Sequence, residues 1–158
     1  MLIKNNPGGG CVRDIKNLVS NFINIYKTNN VYELCSQLNI RIYKSRLKDI
    51  KGYFLNISEG ISIVVDYNLD EHEERCVIAH ELGHVMLHRS SNICYLKNYT
   101  YSNTNKLENE ANEFASELLI TDGEIKEALE KQFSMEQMAC YFEVPLELIE
   151  YRFNIKYK

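Results

Sequence analysis

The sequence predicts an α+β fold, in which a small antiparallel or mixed sheet packs on a helix bundle and a helical segment ends the chain. Apolar residues recur with helical spacing in residues 12–27 and again from residue 70 onward, whereas residues 40–65 alternate in the manner of strands. The chain has 158 residues, of which 45% are apolar and 25% are charged. This length and composition are enough for one domain with a substantial core.

The composition excludes several classes of protein. No apolar run approaches the length of a membrane span, and residues 1–7 lack the apolar core of a signal peptide, so we expect a cytoplasmic protein without membrane contact. The five cysteines form no Cys-x-x-Cys pair, which favours free thiols in a reducing compartment. The net charge of −4 argues against direct nucleic-acid binding, because phosphate contacts need a basic face. A monomer is the default oligomeric state.

Two helices are predicted before the sheet. The first spans residues 12–27 and the second follows Asn30, with Glu33 three residues later as in a capping box. The apolar face of the first helix comprises Ile15, Leu18, Val19, Phe22, Ile23 and Tyr26. Both helices therefore present one side to a core.

Three short strands are predicted next. Residues 40–43 alternate apolar and polar side chains, and residues 52–57 and 61–65 form two further strand patterns. Glu59 and Gly60 lie between the last two and predict a turn.

The remaining chain is predicted to be mostly helical. Acidic residues from Asp70 onward suit a helix N-terminus, and this helix should run to about His88. Residues 89–104 are rich in Ser, Asn and Tyr and predict a loop, and residues 105–119 predict another helix.

Three capping signals follow. Thr121 with Glu124, and Ser134 with Gln137, predict two capped helices. Pro145 suits the first turn of a last short helix that runs to residue 151.

Residues 80–84 read His-Glu-Leu-Gly-His, inside the third predicted helix. Four residues make about one helical turn, so His80 and His84 project from one face, about 6 Å apart along the axis, and both can reach one zinc ion. Glu81 lies one step round the helix, so its carboxylate can act as a base towards a water at the metal without being a ligand. The spacing therefore predicts a zinc site with Glu81 as the catalytic base.

Zinc needs a third protein ligand, and the same helix is a poor source of it. His88 and Cys76 continue the four-residue spacing of the two histidines. However, every four residues the side-chain direction rotates by about 40° around the helix axis and the position rises by about 6 Å. We therefore expect His88 to support the site or pack beside it, and Cys76 to lie in the core. The third ligand should come from another segment.

Residues 108–115 hold three candidates for that ligand. Glu108 lies at the edge of the apolar stripe and is favoured, with Glu110 and Glu113 as alternatives. Asn112, one turn after Glu108, can accept a hydrogen bond from a ligand histidine and fix its orientation.

Together, HELGHVMLH at residues 80–88 and ENEANEFASELL at residues 108–119 resemble the ImmA/IrrE family of zinc metallopeptidases. The similarity covers about residues 30–153. It implies a zincin-type metallopeptidase core, which we place at residues 1–120. The run Pro7-Gly8-Gly9-Gly10 predicts that residues 1–11 of this unit are flexible. Residues 121–158 would form a C-terminal helical segment packed on that core.

The resemblance also implies a site and a substrate. His80, His84 and Glu108 would bind Zn²⁺, and Glu81 would serve as the base. The substrate would be a protein, a helix-turn-helix repressor of a mobile element, prophage or stress regulon, so that the enzyme acts as an anti-repressor.

Two other functions remain open at this stage. The chain could be a non-hydrolytic metal-binding regulator that holds or senses a repressor. Direct DNA binding through helices at residues 135–143 and 145–153 is disfavoured, because residues 121–158 carry 5 basic and 8 acidic side chains.

Two minor expectations concern the flanks of the site. Docking of a protein substrate suits the last two helices better than DNA does, through apolar residues most of which should be core: Met138, Phe142, Leu146 and Ile149. No oxyanion-stabilising residue can be assigned, although loop tyrosines overhanging the metal are candidates: Tyr95, Tyr99 and Tyr101.

Overall fold

The computed structural model describes residues 14–88 and 101–153, with side chains from residue 105 in the second segment. These residues form seven helices and a three-stranded sheet, which confirms the α+β class. In chain order they are α1 (Ile15–Tyr26), α2 (Val31–Gln37), β1 (Arg41–Ser45), β2 (Gly52–Ile57), β3 (Gly60–Asp66), α3 (Glu71–Leu87), α4 (Tyr101–Leu119), α5 (Asp122–Glu130), α6 (Met135–Phe142) and α7 (Leu146–Arg152).

The sheet is mixed and has the order β1-β3-β2. The central strand β3 runs parallel to β1, with Ile42 opposite Ile63, and antiparallel to β2, with Phe54 opposite Ile63. The predicted turn at Gly60 closes the β2–β3 hairpin, and the φ angle of +121° there requires a glycine. Within the described residues β2 has a neighbouring strand on one side only, so it forms an edge of the sheet.

Helix α3 lies at the centre of the molecule, packed between the sheet and α4. Its N-cap is Asp70, whose carboxylate accepts a hydrogen bond from the Glu73 N–H at 2.8 Å. The helix is buried on nearly every side, and even its polar Glu81 and His84 are less than 10% exposed. A helix so enclosed can hold polar groups in a fixed position, because every neighbouring element constrains it.

Gly83 allows α3 and α4 to approach closely. A Cβ added to Gly83 would lie 3.0 Å from the Ala111 carbonyl oxygen and 3.1 Å from the Phe114 Cβ. Gly83 therefore serves close packing between the two helices, and its cost in helix propensity of about 1 kcal/mol is offset by the contact it permits.

The C-terminal helices are fixed to the rest of the protein by two arginines. Arg75 in α3 donates hydrogen bonds to the carbonyl oxygens of Phe142 and Glu143, at 2.7 and 3.3 Å. Arg152 in α7 is buried and lies 3.0 Å from a Glu117 carboxylate oxygen. Of the three predicted capping boxes, those at Thr121 and Ser134 are present in full, and at Asn30 the side chain accepts hydrogen bonds from the N–H groups of Tyr32 and Glu33.

Several helix boundaries differ from the expected ones. The first helix is expected from residue 12, but α1 begins at Ile15 because Asp14 is its N-cap. The predicted loop over residues 89–104 ends earlier, because α4 already begins at Tyr101. Pro145 is the N-cap of α7 and not part of its first turn. Its fixed φ of −56° and its missing N–H suit either position, so the sequence alone could not separate them.

None of the described helices combines the length and the apolar character that a membrane span requires.

Replacing Gly83 with alanine tests the importance of the α3–α4 contact. Overpacking costs about 1–3 kcal/mol and the better helix propensity of alanine returns about 1 kcal/mol, so we expect a net loss of up to about 2 kcal/mol. The measurement is the midpoint of urea unfolding. The control is Gly123→Ala in α5, where the added Cβ would lie 3.9 Å from the Thr121 hydroxyl and should not destabilise. Equal stability of the two variants would contradict the packing role.

Candidate metal centre

His80 and His84 project from one face of α3 towards a common point. Their Nε2 atoms lie 3.0 Å apart, and their ring centroids are 4.6 Å apart. The four-residue spacing brings this about, since one helical turn places the two side chains one above the other.

Glu108 reaches the same point from α4. One carboxylate oxygen lies 3.2 Å from His80 Nε2 and the other lies 3.5 Å from His84 Nε2. The ligand atoms of the three residues all lie within 4.8 Å of one another, a grouping that could hold a metal ion. We call His80, His84 and Glu108 the metal triad.

The geometry and chemistry of the metal triad suit a divalent ion. Donors at 2.0–2.1 Å around a tetrahedral metal are separated by about 3.3 Å, close to the distances between these atoms. The His80 and His84 rings, both within hydrogen-bond distance, hold the pKa of the Glu108 carboxyl well below its usual range. Glu108 is therefore ionised at neutral pH, as a ligand must be.

The two histidines are oriented in different ways. His80 Nδ1 lies 2.7 Å from Asn112 Oδ1, so the ring donates its proton to Asn112 and turns the lone pair of Nε2 towards the metal triad. His84 is 2% exposed, and its Nδ1 has no hydrogen-bond partner in the described part of the chain. Packing holds it instead, with the Phe54 ring stacked at 6.4 Å.

Glu81 lies between the metal triad and the edge strand β2. Burial raises the pKa of its carboxyl above the ordinary value, while the charges of His80 and His84 and a hydrogen bond from the Phe54 backbone N–H act in the opposite direction. A buried carboxylate with a raised pKa is suited to take up a proton during a reaction. Gly52 makes room for this arrangement, since a Cβ there would lie 2.5 Å from a Val77 methyl group.

The other candidate ligands lie apart from this point. Glu110 contacts His88, with Oε2 3.3 Å from His88 Nε2, and Lys106 lies on its other oxygen at 3.8 Å. His88 is buried one turn beyond His84, and Cys76 is buried in the core. Glu113, half-buried on α4, is not part of the grouping found around the histidines.

A cleft of about 740 Å³ opens from the metal triad and Glu81. One wall is β2, the floor is α3, and the opposite wall is the corner where α6 meets α7. The C-terminal residues of that wall are Ala139, Cys140, Glu143, Val144, Pro145, Glu147 and Leu148. We call them the α6–α7 wall.

Reasoning from the sequence did not find the α6–α7 wall. The four apolar residues expected to dock a substrate do not line the cleft, because Met138, Phe142 and Ile149 are core and Leu146 is exposed elsewhere. Arg75 brings the wall to α3 across 67 residues of sequence, which no local pattern signals. The side chains of the candidate oxyanion tyrosines Tyr95, Tyr99 and Tyr101 lie outside the described residues.

Comparisons with known proteins identify the family of the chain. The family model Peptidase_M78, described as the IrrE N-terminal-like domain, matches residues 35–154. The chain is 37% identical over 144 residues to "Metallopeptidase ImmA" of Bacillus subtilis (strain 168), covering 90% of this chain and 85% of that protein. It is also 37% identical over 135 residues to "Uncharacterized immunity region protein 2" of Bacillus phage phi105, with 85% of each covered.

A solved structure shares the fold. A chain of a "Mycobacterium tuberculosis transcriptional regulator" superposes with a TM-score of 0.63 at 15% identity. The match covers 89% of the present chain and 47% of the solved one, so the present chain spans about half the length of that protein.

Replacing Glu108 with glutamine tests the third ligand. The amide is a much weaker metal donor than the carboxylate, so we expect the affinity for Zn²⁺ to fall by more than 100-fold, since even residues outside the ligand set change affinity by 10–100-fold. Competition with a chromophoric chelator measures it. The matched control, Glu113→Gln on the same helix, should bind as wild type. A weakened Glu113→Gln with an unaffected Glu108→Gln would reverse the assignment.

Replacing Asn112 with alanine tests the orientation of His80. We expect a fall of about 10–100-fold in Zn²⁺ affinity, because the His80 ring loses the partner that fixes its tautomer. The same chelator competition applies. Asn105→Ala, at an exposed position of α4, is the control. Unchanged affinity in Asn112→Ala would show that packing alone orients His80.

Proposed function

Because this chain belongs to the IrrE N-terminal-like family of metallopeptidases, we propose that it is a zinc-dependent endopeptidase that cleaves a helix-turn-helix repressor of a mobile element, prophage or stress regulon. The observation that carries the proposal is the metal triad beside Glu81 in a cleft of about 740 Å³. A relative named for a phage immunity region supports the choice of repressor. The proposal places the reaction in the cytoplasm, with the enzyme as a monomer.

His80, His84 and Glu108 would hold the zinc ion, which fits two neutral imidazoles and one carboxylate. When bound, zinc supplies Lewis acidity that activates water and polarises a carbonyl group. Asn112 keeps the His80 ring turned for this role through the hydrogen bond at Nδ1. Enclosure of His84 excludes competing water from that side.

Glu81 would move the proton. Its buried carboxylate takes a proton from the water that attacks the scissile carbonyl and then delivers it to the departing nitrogen. The Phe54 N–H holds the carboxylate in place for both steps. Burial raises the pKa of this carboxyl, which favours uptake of the proton in the first step.

The edge strand β2 would align the substrate. The Asp66 N–H donates to the Lys51 carbonyl, so the backbone groups of Lys51 and Tyr53 face β3. Those of Phe54 point to the other side, where its N–H is bonded to Glu81 and its carbonyl would pair with the substrate. An extended peptide beside such an edge gains main-chain hydrogen bonds without a sequence requirement. Recognition of particular substrate side chains would then depend on the other walls of the cleft.

Replacing Glu81 with glutamine separates catalysis from metal binding. We expect normal zinc content and a loss of cleavage of about 10²–10⁴-fold, because glutamine cannot accept the proton. The enzyme is co-expressed with the helix-turn-helix regulator encoded beside it, and the fragments are identified by intact mass. Glu71→Gln, at an exposed position in the first turn of α3, is the control and should cleave as wild type.

The outcome also decides between an enzyme and a non-hydrolytic regulator. Cleavage retained in Glu81→Gln would contradict the proposed mechanism. Relief of repression without any fragment of the regulator, to the same extent with wild type and with Glu81→Gln, would favour the non-hydrolytic alternative.

A further inference from the structure

The α6–α7 wall presents an apolar surface to the cleft. Ala139, Val144 and Leu148 line the cleft from this side and are each less than 10% exposed. Phe54 and Val77 face them from β2 and α3. Apolar side chains that line a cleft beside a reaction centre form a pocket for an apolar side chain of the ligand.

The rim of the same cleft is acidic. Apart from Glu81 and Glu108 at the centre, the described residues lining it include four carboxylates and one lysine: Asp70, Glu73, Glu143, Glu147 and Lys51. The Lys51 ammonium lies 2.7 Å from Glu73, and His72 Nδ1 lies 2.9 Å from Glu143. Carboxylates thus outnumber lysines among the described lining residues, and this excess of negative charge favours a cationic partner.

The α6–α7 wall is held rigidly relative to the metal triad. Arg75, which fixes the carbonyl oxygens of Phe142 and Glu143, belongs to the same helix as His80 and His84. The Cys76 thiol also lies 4.0 Å from the Glu143 carbonyl oxygen. A preformed wall of this kind can select a ligand without the cost of ordering itself.

We propose that the α6–α7 wall determines substrate specificity by binding an extended segment in which a large apolar side chain neighbours a lysine or arginine. The apolar side chain packs against Ala139, Val144 and Leu148, and the cation lies beside Glu147. The inference rests on the proposed endopeptidase function and deepens it, because β2 would bind only the backbone of the substrate. Apolar burial and charge complementarity together exclude acidic and wholly polar segments.

Binding without cleavage tests this assignment. The full-length Glu81→Gln protein, loaded with Zn²⁺ and immobilised, is incubated with short synthetic peptides randomised at four central positions, and the retained peptides are sequenced by mass spectrometry. We expect enrichment of Leu, Ile, Met or Phe next to Lys or Arg. The preference for the cation should weaken as salt is raised, because the rim is exposed to solvent.

Charge variants identify the wall as the source of selection. Glu147→Lys, made in the Glu81→Gln background, should reduce the enrichment of basic residues by about fivefold, as expected when an exposed ion pair is replaced by repulsion. The matched control is Glu130→Lys, which makes the same change of charge on α5 away from the cleft. It should leave the enrichment unchanged.

Size variants test the apolar pocket separately. Val144→Ala should shift the enrichment towards larger apolar side chains, and Ala139→Leu should shift it towards smaller ones, by about tenfold for each methylene gained or lost. Leu129→Ala, which is 52% exposed on α5, is the control. If Ala139→Leu fails to fold, Val144→Ala still decides the point, because it only removes atoms.

Several results would overturn the proposal. One is that the column retains no more peptide than a column without protein. The others are that acidic residues are enriched, or that Glu147→Lys and Val144→Ala both leave the enrichment unchanged. A dimer in sedimentation velocity that Glu147→Lys dissociates would show instead that a second copy of the chain occupies the cleft. Since peptide retention needs no hydrolysis, failure of the repressor-cleavage experiment would leave a positive result here standing.

Discussion

The close crossing of α3 and α4 at Gly83 is the contact on which the rest of the structure depends. The absence of a side chain at Gly83 lets the backbone at Ala111 approach so closely that an added Cβ would lie only 3.1 Å from the Ala111 Cα. His80 and His84 flank Gly83 on α3, and Glu108 lies one turn before the contact on α4. The same helix pair brings the Glu108 carboxylate to 3.2 Å from His80 Nε2 and 3.5 Å from His84 Nε2. The packing of α3 against α4 therefore fixes both the core and the positions of the three residues of the metal triad.

Burial and charge are balanced around that crossing. Glu81 and His84 are almost completely enclosed, and an isolated charge in such a place would cost several kcal/mol. Two hydrogen bonds offset part of this cost and also orient the side chains. One runs from the Phe54 N–H to Glu81, and the other runs from His80 to Asn112. A divalent cation would complete it by neutralising the remaining negative charge. The interactions that stabilise Glu81 and the histidines in the buried site thus also hold them in the positions that the reaction needs.

The C-terminal helices contribute to the site through their position and not through chemically reactive groups. The Arg152 guanidinium holds α7 against Glu117 at the end of α4, and Arg75 holds the α6–α7 corner against α3. The same segment carries an excess of carboxylates that counts against DNA as a ligand. Some of that negative charge, at Glu143 and Glu147, lies on the rim of the cleft. A charge distribution unsuited to nucleic acid is thus suited to a basic segment of a protein.

The sequence by itself determined the α+β class, the capped helices and the pair of histidines with Glu81, because each depends on residues no more than a few positions apart. Helical periodicity, capping boxes and the His-Glu-x-x-His spacing are local, and one turn of helix converts the last directly into geometry. The choice of Glu108 over Glu110 and Glu113 as the carboxylate beside the histidines depended on the rotation of α4 against α3, which packing at Gly83 decides. The order β1-β3-β2, the hydrogen bond from Phe54 to Glu81 and the α6–α7 wall also came only from the tertiary structure. Each of these joins elements distant in sequence, and their relative placement is set by the packing of the whole core, which no local pattern encodes.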